Sequence, residues 1–304
     1  MPDGNVQAHI WDVEGCYPAM PKELVFDAMR TMLLEVVDSA PRTALDKGLR
    51  PTGVSVPLFQ NGGPITWARG RSYTKDRIVL TWNDLLLGIQ FSLENCFLKL
   101  PTGIVRQTHG IPMGDPLSPP MAIATCAYLE RAWKAKHPEV DKCFFMRRYL
   151  DDILALTMHQ ASDDSDTKRI LDSFLKDCYP QPQINLKAQP ATHYLEMEIK
   201  LHGHRADFKH WNKNYRHMCE KGRQHILRHQ LQSSYGPPQI KFGCMIGEFT
   251  RILRHTTRNE DLTDALMEKE HELRHVGFSR HTIRRAVNHV GKRRGSSTMA
   301  EWRN

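Results

Sequence analysis

CFFMRRYLDDILALTM, residues 143–158, decides how this chain is to be read. Two apolar, strand-like runs flank Asp151 and Asp152, which describes a β-hairpin with both carboxylates at its tip. An Asp-Asp pair in a turn is by itself only a polar turn, because Asp bonds readily to nearby backbone there. A third acid lies elsewhere in the sequence. Residues 6–12, VQAHIWD, form another short strand, and Asp12 stands at its end. Carboxylates delivered by separate strands to one place suit Mg2+, which takes hard oxygen ligands and leaves room for substrate phosphates. Two such ions, about 3.5–4 Å apart, can stabilise both the attacking and the leaving oxygen of a displacement at phosphorus.

Pro18 and Pro21 lead into a helix over about 21–37, with Leu24, Ala28, Met32 and Val36 on one face. Residues 38–75, rich in Gly, Pro, Arg and Thr, read as a loop or short hairpin. An apolar helix is expected over about 82–95, and a hairpin turning at 101–103. Ser118 is expected as the N-cap, with Pro119 as first helical residue, of a helix through about Trp133. YLEMEIKL, 194–201, alternates strictly and predicts one strand with Leu195, Met197, Ile199 and Leu201 on a single face. Gly203 turns it into a second strand. From about Phe242 the pattern is helical: Leu262, Leu266 and Leu273 share a face, and Ser279 caps a helix carrying Ile283, Val287 and Val290. The last dozen residues read as a loose tail.

With 304 residues and 40 % hydrophobic content the chain can bury a sizeable core. Its formal charge of +8 is concentrated at the rear, where residues 201–304 carry 20 Lys and Arg against 10 Asp and Glu. Eleven of the 16 histidines lie there too. A near-neutral front joined to a basic rear favours a polyanionic partner, with a solvated basic face as the plainer alternative. Seven cysteines with no C-x-x-C pair fit a reducing compartment, the nucleus or cytoplasm. No apolar run approaches the roughly 20 residues that span a bilayer, so no membrane partner is expected. His217, Cys219, His225 and His229 are zinc-ligand types, but their spacing matches no standard finger.

Four blocks, in order, resemble the reverse transcriptase family. DVEGCYP (Asp12–Pro18) is similar to its first aspartate motif, and HGIPMGDPLSP (His109–Pro119) to its template-contacting loop and helix. RYLDD (Arg148–Asp152) resembles its Tyr-x-Asp-Asp signature, and HYLEMEI (His193–Ile199) its primer-grip hairpin. The resemblance is nearest to retroelement enzymes of the Penelope-like group. There the GIPMG-type loop is followed by Ser-Pro and a helix ending in Glu, here Ser118–Glu130, and the thumb carries a segment like Ile246–Leu262.

The resemblance implies an α+β fold, a polymerase palm with an antiparallel sheet and packed helices, followed by a helical thumb. It divides the chain into a palm at 1–203 with an inserted segment at about 38–104, a connecting segment at 204–240, a basic helical thumb at 241–290 and a flexible tail at 291–304. It further implies RNA-directed DNA polymerase activity on an RNA template, a DNA primer and dNTPs, with two Mg2+, or Mn2+, as cofactors. Asp12, Asp151 and Asp152 with the Val13 carbonyl would hold the metals. Tyr17 matches a steric gate against ribose, the alternative being a core aromatic. Gly110, Pro112, Met113 and Gly114 match the loop under the templating base, with Gln107 beside it and Tyr149 next to the acids. Lys187 is a candidate general acid or a solvated lysine. Arg251, Arg254, Arg258, Arg284 and Arg285 are candidate phosphate contacts. A fingers region is expected ahead of the first aspartate, so feeble extension is expected from these 304 residues alone. Two other readings stay open: an RNA-directed RNA polymerase and a non-catalytic nucleic-acid-binding remnant.

Overall fold

The computed structural model describes residues 5–39, 50–59, 63–69, 74–159, 164–203, 205–224, 228–300 and 302. Strand β1 (Asn5–Glu14) passes through the short α1 (Cys16–Ala19) into α2 (Lys22–Ser39). β2 (Gly53–Pro57), β3 (Thr66–Ala68) and β4 (Arg77–Thr81) then form a small antiparallel sheet. In α3 (Trp82–Glu94) Thr81 and Asp84 close a capping box, satisfying donors that the first turn leaves unpaired. Next come a hairpin of β5 (Phe97–Leu100) and β6 (Gly103–Arg106), the long α4 (Ser118–Lys136), and the strands β7 (Phe144–Tyr149) and β8 (Asp152–His159). The helix α5 (Asp164–Asp177) precedes β9 (Asn185–Gln189), β10 (His193–Tyr194), β11 (Met197–His202) and β12 (Arg205–His210). Five helices follow: α6 (Lys213–Lys221), α7 (Pro238–Arg254), α8 (Asn259–His275), α9 (Arg280–Arg294) and α10 (Ser297–Ala300).

Four strands make the central sheet, in the order β7-β8-β1-β9, and every pairing is antiparallel. Side chains alternate across it. Trp11, Val13, Ile153 and Ala155 are buried with Val25 of α2, Met121 and Trp133 of α4, and Phe174 of α5. On the other face Ile10 packs with Tyr194 and Ile199 of the β10-β11-β12 sheet. A separate core holds the C-terminal helices together, built from Phe249 and Ile252 of α7, Leu262, Leu266 and Leu273 of α8, and Ile283 and Val287 of α9. The fold is α+β, an antiparallel palm with packed helices followed by a helical thumb.

Several expectations need correcting. Ser118 is the first helical residue rather than the cap; Leu117 is the cap, and prolines at 119 and 120 fall in the first turn, where no N–H is needed. The segment 194–201 is not one strand. Leu195 has φ +56°, and β10 turns back there to pair with β11. The short hairpin expected within 38–75 is present as the antiparallel β2-β3 pair, to which β4 adds a third strand; part of the segment lies outside the described residues. The β11-β12 hairpin turns at Gly203, with a register running from Met197↔His210 to His202↔Arg205. The expected loose tail instead finishes the thumb: Met299 is 0 % and Trp302 7 % exposed in its core.

Candidate active site

The ladder brings the carboxylates together. Asp12 of β1 lies opposite Asp152 of β8, and on its other side opposite Lys187 of β9. Tyr149 of β7 is in turn opposite Asp152. Directly opposed residues share a face, so Tyr149, Asp152, Asp12 and Lys187 form one row across all four strands. The turn carrying Asp151 is held against β1 by its carbonyl, which accepts the Val13 N–H at 2.9 Å. Tyr194 donates from its hydroxyl to the Asp152 carbonyl at 3.3 Å.

Burial raises the carboxyl pKa of Asp12 above the ordinary value, and the negative charge of Asp151 adds to it, while Lys187 opposes. Asp152 is raised by burial, then by Asp151 and Asp12, with Lys213 opposing. Like charges this close disfavour ionisation of one another. Among the described residues no group of three His, Cys, Asp or Glu side chains is placed so as to hold a metal ion. The donor set is oxygen only, which fits Mg2+ or Mn2+ and not zinc.

Beside the acids the loop before α4 is seated on the chain just past β1. The Ile111 N–H donates to the Tyr17 carbonyl at 2.7 Å. Gly110 has φ +77°, and a Cβ there would lie 2.6 Å from Pro18 Cα, so only glycine fits this approach. Pro112 is buried and its carbonyl accepts the Ser118 hydroxyl, whereas Met113 and Gly114 are exposed. Gln107 braces the loop from within: its Nε2 donates to the carbonyls of His109 at 2.7 Å and Ile111 at 3.3 Å. Lys22, absent from the sequence reading, ties α2 to this region by donating to the carbonyls of Leu93 at 2.5 Å and Gln107 at 2.7 Å. Tyr17 is half-buried against the core, and burial raises its hydroxyl pKa.

The thumb arginines separate into two groups. Arg251 is consumed internally, by Glu196 at 2.8 Å and Glu248 at 2.5 Å. Arg254 and Arg285 are exposed, the latter stacked over Phe242 at 4.8 Å. Arg258 is exposed with a loose pairing to Glu260 at 3.5 Å, and Arg284 is half-buried. In the 38–104 segment Arg77 also looks inward, donating to Ser55, Pro64 and Thr66. Of the zinc-type residues, His229 is buried beside Glu272, Cys219 is exposed, and His225 lies outside the described residues.

Thumb and palm meet through buried polar groups that the sequence did not mark. Glu272, fully buried, accepts from Lys269 at 2.6 Å, Asn214 at 2.6 Å and Asn212 at 3.0 Å. His210, at the end of β12, has its pKa pulled down to about 3 by burial and by the Lys269 charge. Glu248 is held down at about 2, the neighbouring Lys269 and Arg251 outweighing burial. An ordinary alternation of charged and apolar residues on a helix carries no sign of which charges end up inside.

No family model matches the sequence, and no curated protein does. Among solved structures, the telomerase of Candida albicans, in complex with a fragment of telomeric RNA, aligns with 99 % of this chain at TM-score 0.54 and 12 % identity. Candida tropicalis telomerase aligns at TM-score 0.43 and an RNA polymerase complex inside a dsRNA virus at 0.45, with 12 % and 14 % identity over 96 % and 85 % of this chain. They span 41 % and 20 % of those chains and add nothing to the assignment. This chain spans 46 % of the Candida albicans telomerase chain, and at that identity the likeness is one of fold alone.

Proposed function

We propose that this chain is the palm and thumb of an RNA-directed DNA polymerase, a reverse transcriptase of retroelement type nearest the Penelope-like group. One observation carries the reading: Asp12 and Asp152 are cross-strand partners, and the turn between Tyr149 and Asp152 is bonded to β1 at Val13. The four sequence blocks in family order support it.

In this reading Asp12, Asp151 and Asp152, with the Val13 carbonyl, hold two divalent cations, Mg2+ or Mn2+. When bound, the ions stabilise charge on the attacking 3′ oxygen and on the leaving pyrophosphate. Lys187, opposite Asp12, gives a proton to the departing pyrophosphate. Tyr17 crowds a ribose 2′ hydroxyl, and Pro112 with Met113 supports the templating base. Arg254, Arg258, Arg284 and Arg285 contact phosphates of an RNA–DNA duplex, which is read by shape and backbone rather than by base edges. A nuclear or cytoplasmic location goes with such substrates.

Primer extension by the purified chain tests this, on RNA and DNA templates with dNTPs and NTPs compared. Feeble DNA synthesis on RNA that Asp151→Asn abolishes is the expected result. Incorporation of NTPs alone would make it an RNA polymerase. Duplex binding with no extension under any condition would leave a non-catalytic remnant.

A further inference from the structure

We infer that Arg148 is a positioning residue, clamping the Asp151-Asp152 turn to α4 so that the acids stay in register with Asp12; this rests on the function proposed above. Arg148 is partnered with Ile153 across the β7-β8 ladder, so it points to the helix-packed face while Tyr149 faces the open side. All three guanidinium nitrogens are engaged. Nε donates to Glu130 at 2.6 Å, Nη1 to the carbonyl of Leu150 at 2.9 Å and Nη2 to the carbonyl of Ile123 at 3.1 Å. The Tyr179 hydroxyl donates to the same Glu130 oxygen at 2.6 Å. The Arg148 and Glu130 side chains are 7 % and 13 % exposed.

Stability alone is a poor reason for such a pair. Desolvation of two charges offsets much of their attraction, and an apolar pair of similar volume is often as stable. What the planar fork supplies, and an apolar side chain cannot, is a fixed grip on carbonyls. The carbonyl it grips belongs to Leu150, whose φ of +55° is left-handed, a conformation strained for a residue with a Cβ. Strain of this kind persists only where surroundings over-determine it. If the grip is lost, Leu150 is free to rotate out of that region, and Asp151 turns with it. The bond from Val13 to the Asp151 carbonyl then goes as well.

The other end of the clamp is equally specific. Ile123 and Glu130 lie on α4, whose first residue, Ser118, is bonded to Pro112 in the loop beside Tyr17. A helix rises about 1.5 Å per residue, so Ser118 and Glu130 sit about 18 Å apart on one rigid rod. α4 therefore sets the distance between the nucleotide-side loop and the acidic turn, with Arg148 as its attachment to the turn.

The experiment uses the full chain with Arg148→Lys, which keeps the charge but cannot fork, beside wild type, Asp151→Asn and a thumb-core control, Ile283→Val. Single-turnover extension, primer–template affinity, Mn2+ binding by loss of the free-ion EPR signal, and melting are measured. Arg148→Lys should slow the single-turnover rate about 10²-fold, the scale of an ångström misplacement, with duplex affinity unchanged. Mn2+ affinity should fall about 10-fold, as when a group behind a metal ligand is removed. Adding Glu130→Gln to Arg148→Lys should cost little more, because the two act as one unit. Should Arg148→Lys not fold, Glu130→Gln alone gives the same comparison. Wild-type rate and Mn2+ affinity in the variant would overturn the inference, as would a loss that merely follows melting temperature in the control as well. If wild type extends no primer, the proposed function fails; the inference then stands or falls on whether Mn2+ binding is weakened in Arg148→Lys and lost in Asp151→Asn, and no Mn2+ binding by wild type overturns it.

Discussion

Asp12 and Asp152 sit directly opposite each other in the β1-β8 ladder, and each has a carboxyl pKa raised above the ordinary value. A raised carboxylate pKa means that the folded chain binds protons more readily than the unfolded one. The sign follows: stability falls as pH rises from the unfolded value near 3.8 through the higher folded values. Asp151→Asn should therefore abolish extension while leaving melting temperature in metal-free buffer unchanged or raised, at roughly 2–4 °C per kcal/mol of relieved repulsion. Millimolar Mg2+ should stabilise wild type at pH 7 and do so less in the variant. Thermal melts with and without Mg2+ check this; equal Mg2+ stabilisation of the two proteins would remove Asp151 from the site.

Acid should loosen the joint between palm and thumb. His210 has a folded pKa of about 3, far below its unfolded 6.5, so its neutral form favours folding above pH 6.5 and that contribution drains away as pH falls toward 3. His229 and His255 are lowered in the same sense by burial. Glu248, lowered from 4.5 to about 2, contributes above 4.5 and is lost as pH falls through 2. Urea midpoints should decline from pH 7 to pH 4, and His210→Asn should flatten that slope. Parallel profiles for variant and wild type would count against it.

Gly110→Ala places a methyl carbon against Pro18 and puts alanine at a φ of +77°. Left-handed strain alone costs about 1–2 kcal/mol, and the backbone contact adds to it. The loop should shift, destabilising the chain and raising the nucleotide KM by 10-fold or more on the scale of about 1.4 kcal/mol per decade. Gly114→Ala, where a Cβ meets nothing within 4 Å, should be milder. Equal effects at the two positions would argue that contact with Pro18 is unimportant.

Tyr17→Ala should chiefly relax sugar selectivity, raising ribonucleotide incorporation relative to deoxyribonucleotides. A steric gate excludes one hydroxyl and does no chemistry. Comparing kcat/KM for dNTP and rNTP settles it, and unchanged discrimination would leave Tyr17 as a core aromatic only.

Arginines on the thumb should respond according to their partners. Arg254→Ala and Arg285→Ala are expected to weaken duplex binding and flatten its salt dependence by about 0.9 in log K against log salt per lost phosphate contact. Arg251→Ala should instead lower stability, since it leaves Glu196 and Glu248 without this partner. A salt slope altered by Arg251→Ala and untouched by Arg254→Ala would reverse the assignment.

The hairpin at 143–158, the strand leading to Asp12 and the apolar faces of α8 and α9 could all be read from the sequence, because each is a short-range pattern. Period-two or period-3.6 spacing and local turn residues determine such elements within a few positions. Leu195 escaped that logic: its strand alternates perfectly on paper, yet the chain turns there because Tyr194 must reach Ile10 and Met197 must pair with His210. Met299 and Trp302 look like a loose tail in a polar stretch and become core only because α7, α8 and α9 leave a place for them. Arg148, Arg251 and Arg254 are the same letter in the sequence. One grips the acidic turn, one is locked at the joint and one faces solvent, and partners 18 and 55 residues away, Glu130 for Arg148 and Glu196 for Arg251, decide which. The sequence determines which residues are charged and where strands and helices begin; charge neutralisation and burial depend on side chains brought together across the fold, where an unpaired buried charge is too costly to tolerate.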